Sequence, residues 1–263
     1  MKIAIAQLAS SPDKALNLKK ACDAIQKAAQ GGADLVLLPE MFMVFVPADS
    51  GISYADVAEP VDGPFVSELA KTAKQCGIYV TCGIYESAPN EPKRAFNTTV
   101  MLNRQGELIY HYQKTHLYDA FSYQESLNII QSNNALKPVE TEFGKIGVLV
   151  CYELRFPEVA RKLTLAGADL ILVPTAWVSG PLKEEHYQTL VKARALENTI
   201  PVCACDQTGN IFIGRSLVCD ALGVTIASAG YDETLFFAEI STQHTAETRE
   251  KLPCMQNRRP ELY

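Results

Sequence analysis

The sequence contains no long apolar segment, no long basic run and no cysteine pair of the CxxC type. No apolar run approaches the roughly 20 residues that a membrane-spanning helix needs, which argues against an integral membrane protein. No run of Lys and Arg exceeds two residues and the net charge is −6, so nucleic-acid phosphates and anionic lipids would repel the chain. We therefore expect neither a nucleic-acid nor a membrane partner.

Disulfide bonds are not expected either, although eight cysteines are spread along the 263 residues. No secretory signal precedes the first apolar segment, so we expect reduced thiols and a cytoplasmic location. Cys203 and Cys205 alternate on a predicted strand, but two ligands do not make a zinc site. We therefore expect these two thiols to pack in the core, and we predict no metal site.

No linker rich in Gly, Ser or Pro divides the chain, so we expect a single domain over residues 1–263 with an irregular tail at 252–263. Apolar runs alternate with helical patterns, which is typical of βαβ units and an α/β fold. The patterns predict helices at 13–30, 64–76, 157–166 and 183–199. They predict strands at 2–8, 34–39, 78–85, 96–103, 107–112, 145–150, 169–174, 200–205, 212–219, 224–229 and 234–240.

A short repeat relates the two halves of the chain. Residues 32–39 and 167–174 agree at six of eight positions, and each segment follows a predicted helix that itself follows a strand beginning with Lys-Ile. We interpret the repeat as two related halves packed together. The alternative is that both segments are common helix-to-strand turns with similar chemistry.

Two reactive side chains directly follow apolar strands, since Glu40 comes after strand 34–39 and Cys151 after strand 145–150. Functional residues of open α/β sheets lie just beyond such carboxyl ends. A thiol is mostly protonated at neutral pH and needs a base, and a desolvated carboxylate can serve as one. Taken singly, a core cysteine and a glutamate that caps a helix or forms a salt bridge remain the favoured interpretations.

A third polar side chain, Lys114, follows the predicted strand at 107–112. A lysine at this place could stabilise the negative charge that develops on a carbonyl oxygen during acyl transfer. From this feature alone a solvated lysine is favoured. Spacing along the chain does not show that the three residues meet.

The motifs around these residues, in their order, resemble those of the nitrilase superfamily of carbon–nitrogen hydrolases. The three catalytic motifs correspond to residues 38–40, 114–117 and 151–158. The segment that carries the second glutamate corresponds to residues 123–126. The likeness extends from the first strand to about residue 240. Within the superfamily, bacterial deaminated glutathione amidases are most similar, through the segments 116–121, 124–126 and 176–184.

The resemblance implies a fold and an assembly. The fold is a four-layer αββα sandwich of two mixed β-sheets flanked by helices. Two such chains pack through helices into an eight-layer dimer, so we expect a homodimer or a higher homo-oligomer. The superfamily chemistry requires no cofactor, and none is expected here.

The resemblance also implies catalytic roles for five residues. Cys151 attacks the carbonyl carbon of an amide and forms a thioester, and Glu40 takes and returns the protons. Lys114 and the backbone N–H of Tyr152 stabilise the oxyanion. Glu125 positions Lys114 or the substrate amide.

Substrate-binding positions follow less directly from the sequence. Arg155 could bind a substrate carboxylate through its planar guanidinium, or it could pair with Glu158 or Glu153. Trp177 could line the pocket or simply pack in the core.

The implied substrate is a small-molecule amide that bears a carboxylate. We expect hydrolysis of deaminated glutathione to 2-oxoglutarate and cysteinylglycine. The alternative is an ω-amidase that acts on 2-oxoglutaramate or another small carboxylate amide. A redox-sensing thiol protein and a non-catalytic binding protein are less favoured, because neither explains the presence of Glu40, Lys114 and Glu125.

Overall fold

The computed structural model describes residues 1–262, so the last residue of the predicted tail, Tyr263, lies outside the described residues. The helices are α1 (Lys14–Gln30), α2 (Tyr54–Val57), α3 (Pro64–Cys76), α4 (Pro157–Leu165), α5 (Lys183–Asn198) and α6 (Thr242–Lys251). Short 3₁₀ helices span Glu125–Leu127, Cys151–Arg155 and Pro260–Leu262.

The strands belong to two six-stranded sheets and one small hairpin. Those of the first sheet are β1 (Lys2–Gln7), β2 (Leu35–Leu37), β3 (Tyr79–Ser87), β4 (Ala95–Leu102), β5 (Leu108–Gln113) and β14 (Thr234–Glu239). Strands β6 (Asp119–Ala120) and β7 (Tyr123–Gln124) form the hairpin. Those of the second sheet are β8 (Val139–Thr141), β9 (Gly144–Val148), β10 (Leu170–Thr175), β11 (Val202–Asp206), β12 (Leu217–Cys219) and β13 (Thr225–Ser228).

Local sequence explains where the first long helices begin and end. The side chain of Asp13 accepts hydrogen bonds from the first free N–H groups of α1, which is the usual capping chemistry. Helix α3 begins at Pro64, whose ring pre-sets the helical φ angle. It ends at Gly77, which adopts a φ of +62°, a conformation that glycine reaches without steric penalty.

The two sheets repeat one pattern of strand directions. The first has the order β14-β1-β2-β3-β4-β5 and the second the order β8-β9-β10-β11-β12-β13. In each, the second, third and fourth strands are parallel and the outer strands run antiparallel to their neighbours. This pattern supports the interpretation of two related halves, with residues 32–39 leading into β2 and 167–174 into β10.

Alternating side chains of β1 show how the layers stack. Ile3 and Ile5 belong to the apolar cluster that contains the second sheet. Ala4 and Ala6 face the other way and join the cluster that contains α1 and α3. Helices α4 and α5 cover the second sheet from outside. The arrangement is a four-layer αββα sandwich, and the fold prediction is confirmed.

Some elements differ from the predicted pattern. The predicted strand at 212–219 is a strand only at Leu217–Cys219, because the loop before it contains Gly214 and Arg215 with positive φ angles. Helix α6 was not predicted, since its polar sequence lacks an apolar stripe. The described part of the tail, 252–262, consists of turns and one 3₁₀ turn. None of the helices in residues 1–262 is long and apolar enough to cross a membrane.

Candidate active site

Glu40 follows β2 and is almost fully buried, with 1% of its surface exposed. Its carboxylate accepts one hydrogen bond from the Ala176 backbone N–H at 2.7 Å and another from the Asn97 amide at 2.7 Å. Gly83 of β3 packs directly behind it, because a Cβ at that glycine would lie 2.5 Å from the Glu40 Cα. The carboxylate is therefore held in one place from both sides.

Lys114 lies at the end of β5 and is 2% exposed. Its Nζ is 2.9 Å from Glu40 Oε1 and 2.9 Å from Glu125 Oε2. Burial alone would lower the pKa of this ammonium, but the two carboxylates outweigh it and hold the pKa well above its usual value. Lys114 thus remains a cation at neutral pH, clamped between two acidic side chains.

Glu125 opens the 3₁₀ helix after the β6–β7 hairpin and is also buried. The Tyr118 backbone N–H donates to its Oε2 at 2.6 Å, and the Asn97 amide donates to its Oε1 at 3.1 Å. Asn97 therefore bridges Glu40 and Glu125. The sequence motifs do not include this residue, although an amide within the buried strand β4 is a signal that could have identified it.

Cys151 begins the 3₁₀ helix after β9 and has a φ of +46°. A non-glycine residue in this conformation stores about 1–3 kcal/mol of backbone strain, and such residues are found preferentially at functional sites. Burial raises the pKa of its thiol well above the usual value, the charge of Glu40 raises it further, and Lys114 opposes both effects. The resting thiol is therefore neutral and needs a base before it can attack.

Glu153, two residues after Cys151, connects the ends of β9 and β5. Its fully buried carboxylate accepts hydrogen bonds from Val150 N–H at 2.7 Å, Tyr112 O–H at 2.7 Å and Thr115 N–H at 2.9 Å. Burial alone would raise the pKa of this carboxyl, but its hydrogen-bond donors hold the pKa below its usual value. This charged anchor, whose role is not evident from the sequence motifs, fixes the Cys151 turn against the segment that carries Lys114.

The predicted catalytic residues all line one cavity of about 650 Å³. Glu40, Lys114, Glu125 and Cys151 form a polar group on its wall, and Tyr152, Arg155 and Trp177 line it as well. Aromatic rings make up much of the remaining wall, namely those of Phe45, Tyr54, Tyr85, Tyr118, Phe121, Tyr123 and Phe212. The structure thus brings together side chains that lie far apart in the sequence.

Arg155 and Trp177 stack against each other, with the guanidinium carbon 5.0 Å from the indole centroid. The Nε and Nη2 atoms of Arg155 are buried and have no hydrogen-bond partner among the described residues. Neither Glu153 nor Glu158 forms an ion pair with Arg155 within residues 1–262, so the alternative structural role is not observed. Arg155 therefore lines the cavity as a cation that has no acidic partner among the described residues.

Comparison with known proteins shows that residues 2–250 match the carbon–nitrogen hydrolase family. The chain belongs to this family. The predicted membership of the nitrilase superfamily is therefore confirmed, and so is the predicted enzyme class.

Similar carbon–nitrogen hydrolases cover nearly the whole chain. A deaminated glutathione amidase of Escherichia coli O157:H7 is 36% identical over 98% of this chain and 97% of its own length. An omega-amidase of Xenopus tropicalis is 33% identical over 100% of this chain and 96% of its own. The solved structure of a Nesterenkonia amidase variant, which carries acrylamide added to its active-site cysteine, has a TM-score of 0.83 at 27% identity, covering 100% and 98% of the two chains.

Proposed function

We propose that this hydrolase is a cysteine-dependent amidase that cleaves a C–N bond through a thioester on Cys151. One observation carries the proposal: a neutral, buried thiol in a strained turn shares a cavity with Lys114, which is clamped between Glu40 and Glu125. Nucleophile, base and cation are thereby preorganised in a site with little solvent, where electrostatic effects on the reaction are strong.

In the acylation step, the Glu40 carboxylate takes the proton of Cys151 as the sulfur attacks the amide carbonyl carbon. The carbonyl oxygen becomes an oxyanion, which Lys114 Nζ and the Tyr152 backbone N–H stabilise. In other enzymes one such donor contributes about 2.7–4 kcal/mol. As the tetrahedral intermediate collapses, the C–N bond breaks and the leaving amine takes the proton back from Glu40.

In the deacylation step, Glu40 takes a proton from water as the water oxygen attacks the thioester. The C–S bond breaks, the carboxylic acid leaves, and the proton passes to the sulfur of Cys151. Glu125 holds the Lys114 ammonium in place through both steps.

The substrate we propose is deaminated glutathione, which is split into 2-oxoglutarate and cysteinylglycine. Arg155 lines the cavity and has no acidic partner among residues 1–262, which supports a substrate with a carboxylate, since a guanidinium binds carboxylates through two parallel hydrogen bonds. Trp177 would orient this arginine by stacking against it. The name of the E. coli relative agrees with this choice.

Hydrolysis of 2-oxoglutaramate is the second candidate, because a carboxylate-binding Arg155 would serve it as well and the Xenopus relative is named an omega-amidase. A redox sensor is less well supported. No cysteine other than Cys151 lines the cavity among the described residues, so a resolving thiol is lacking at the site.

We also propose a cytoplasmic homo-oligomer, at least a dimer. All eight cysteines are free thiols, which suits a reducing compartment. Leu165 and Leu196 are about half exposed on the outer helices α4 and α5, where a second chain would bury apolar surface. Light scattering in solution measures the mass that tests this assembly.

The test of the proposed function is a substrate panel assayed by kcat/KM. We expect the highest value for deaminated glutathione, a lower one for 2-oxoglutaramate, and much lower values for aliphatic amides and nitriles. Cys151→Ala should reduce kcat by roughly 10⁴-fold or more, since loss of a nucleophile removes the covalent path. Cys22→Ala, which changes a cysteine of α1 that does not line the cavity, is the matched control.

Two outcomes would overturn the proposal. Turnover by Cys151→Ala at a rate near that of the wild type would exclude this cysteine as the nucleophile. A preference for nitriles over all amides would exclude amide hydrolysis as the main reaction.

A further inference from the structure

A second buried cation, Lys183, lines the same cavity and has no part in the steps above. It is the first residue of α5 and is 7% exposed. Its Nζ donates a hydrogen bond to the Tyr118 hydroxyl at 2.8 Å and lies 4.0 Å from the centroid of the Phe121 ring. The aromatic rings thus hold the ammonium against the cavity wall.

The ammonium of Lys183 lacks an acidic partner. No Asp or Glu among residues 1–262 forms an ion pair with it, and its hydrogen-bond partner is the neutral hydroxyl of Tyr118. An ammonium has three donor positions, and only one of those of Lys183 has a hydrogen-bond partner among the described residues. An anion that enters the cavity would supply the missing counter-charge.

Lys183 and Arg155 occupy different parts of the wall. Trp177 contacts both residues. Its ring stacks on Arg155, and its indole N–H donates to the Lys183 backbone carbonyl at 3.0 Å. Lys183 contacts Phe121, which is 70% exposed at the tip of the β6–β7 hairpin, and it follows Leu182, which is 66% exposed. These exposed neighbours place Lys183 near the cavity mouth.

We propose that Lys183 binds a second carboxylate, at the far end of the substrate's leaving group. The inference rests on the proposed function and sharpens its substrate class to amides with one carboxylate on each side of the scissile bond. Deaminated glutathione has this form, since its cysteinylglycine leaving group ends in a carboxylate. A two-residue leaving group extends roughly 7 Å from the scissile bond, so it can bring its carboxylate to a part of the wall away from Cys151. The ammonia leaving group of 2-oxoglutaramate reaches no such cation.

The test compares deaminated glutathione with its glycine carboxamide, which differs only by loss of the leaving-group carboxylate. We expect wild-type kcat/KM to be higher for the carboxylate form by roughly 10- to 100-fold, as a charge-assisted hydrogen bond implies. In Lys183→Met this ratio should fall close to one, because methionine keeps most of the length of the side chain and removes the charge. Lys183→Arg should restore much of the ratio.

Lys192→Met is the matched control, since Lys192 is exposed on the same helix; it should keep the wild-type ratio. Equal wild-type kcat/KM values for the two substrates would overturn the role of Lys183 and leave the amidase function intact. This comparison uses the wild-type enzyme alone and does not depend on the folding of a variant. A wild-type ratio of the two kcat/KM values in Lys183→Met would also overturn the role of Lys183. If neither compound is hydrolysed, the proposed function fails and this inference fails with it.

Discussion

The segments 32–39 and 167–174 have nearly the same sequence and enter equivalent strands, yet the residues that follow them do different things. After the first comes Glu40, whose carboxylate contacts Lys114. After the second comes Thr175, whose hydroxyl donates to the buried Asp206 at 2.7 Å. The next residue, Ala176, gives its backbone N–H to Glu40. One copy of the repeat therefore supplies a reactive group and the other copy helps to hold it.

The comparison extends to the other catalytic side chains. Lys114 comes from the first sheet at the end of β5, and Cys151 comes from the second sheet after β9. Neither half contains a complete site. The two sheets provide a rigid frame, and the catalytic side chains meet where strand ends of the first sheet face strand ends of the second.

The two copies of the repeat should differ most in how strongly a substitution at the equivalent positions 40 and 175 lowers kcat. Glu40→Gln should lower kcat by roughly 10²- to 10⁴-fold, since it removes the general base. Thr175→Val should lower kcat less than about tenfold and lower the free energy of unfolding by about 1–3 kcal/mol, because it removes a donor to a buried carboxyl. Quenched-flow mass spectrometry should find Glu40→Gln either without an acyl adduct or stalled with one. Rapid turnover by this variant would show that another group is the base.

A smaller effect should distinguish two glycines on inner strands of the two sheets, Gly83 of β3 and Gly147 of β9. A Cβ at Gly83 would lie 2.4 Å from the backbone nitrogen of Met41, whereas the nearest contacts of one at Gly147 are side-chain atoms, the closest at 3.3 Å. Gly83→Ala should therefore displace Glu40 and lower kcat by roughly 10- to 100-fold. Gly147→Ala should change kcat little. Steady-state kinetics with urea unfolding checks both variants, and equal losses of kcat would contradict the close packing behind Glu40.

The smallest expected effect concerns how the contribution of Glu153 to the free energy of unfolding depends on pH. Because the pKa of Glu153 is lowered in the folded state, its contribution to stability is present above the unfolded pKa of about 4.3 and is lost as pH falls through the folded pKa. Glu153→Gln should be less stable than the wild type at neutral pH by about 1–3 kcal/mol. It should also lose less stability between about pH 5 and pH 3.

Urea unfolding at both pH values measures this difference, with Glu68→Gln on the exposed face of α3 as the control. An identical decline in the wild type and Glu153→Gln would show that Glu153 has no depressed pKa in the folded state.

Much of the fold could be predicted from local patterns. Apolar strands, helix stripes and the turn residues Pro64 and Gly77 act over a few residues, so their signals survive in a linear sequence. Helix α6 and the shortened strand β12 could not be predicted in this way. The first has no apolar stripe, and the second is interrupted by residues whose positive φ angles follow from the surrounding loop.

By itself, the sequence determined the α/β layering, the repeat and, through ordered motifs, the chemical class of the enzyme. Only the tertiary structure decided that Cys151 lines a cavity and is more than a core thiol. It also revealed Asn97 and the Ala176 N–H on Glu40, contacts that join residues 57 and 136 positions apart. Such contacts leave no local pattern, because they depend on how the two sheets pack. That Lys183 has no acidic partner within residues 1–262 became visible for the same reason, since only the folded chain shows which side chains surround it.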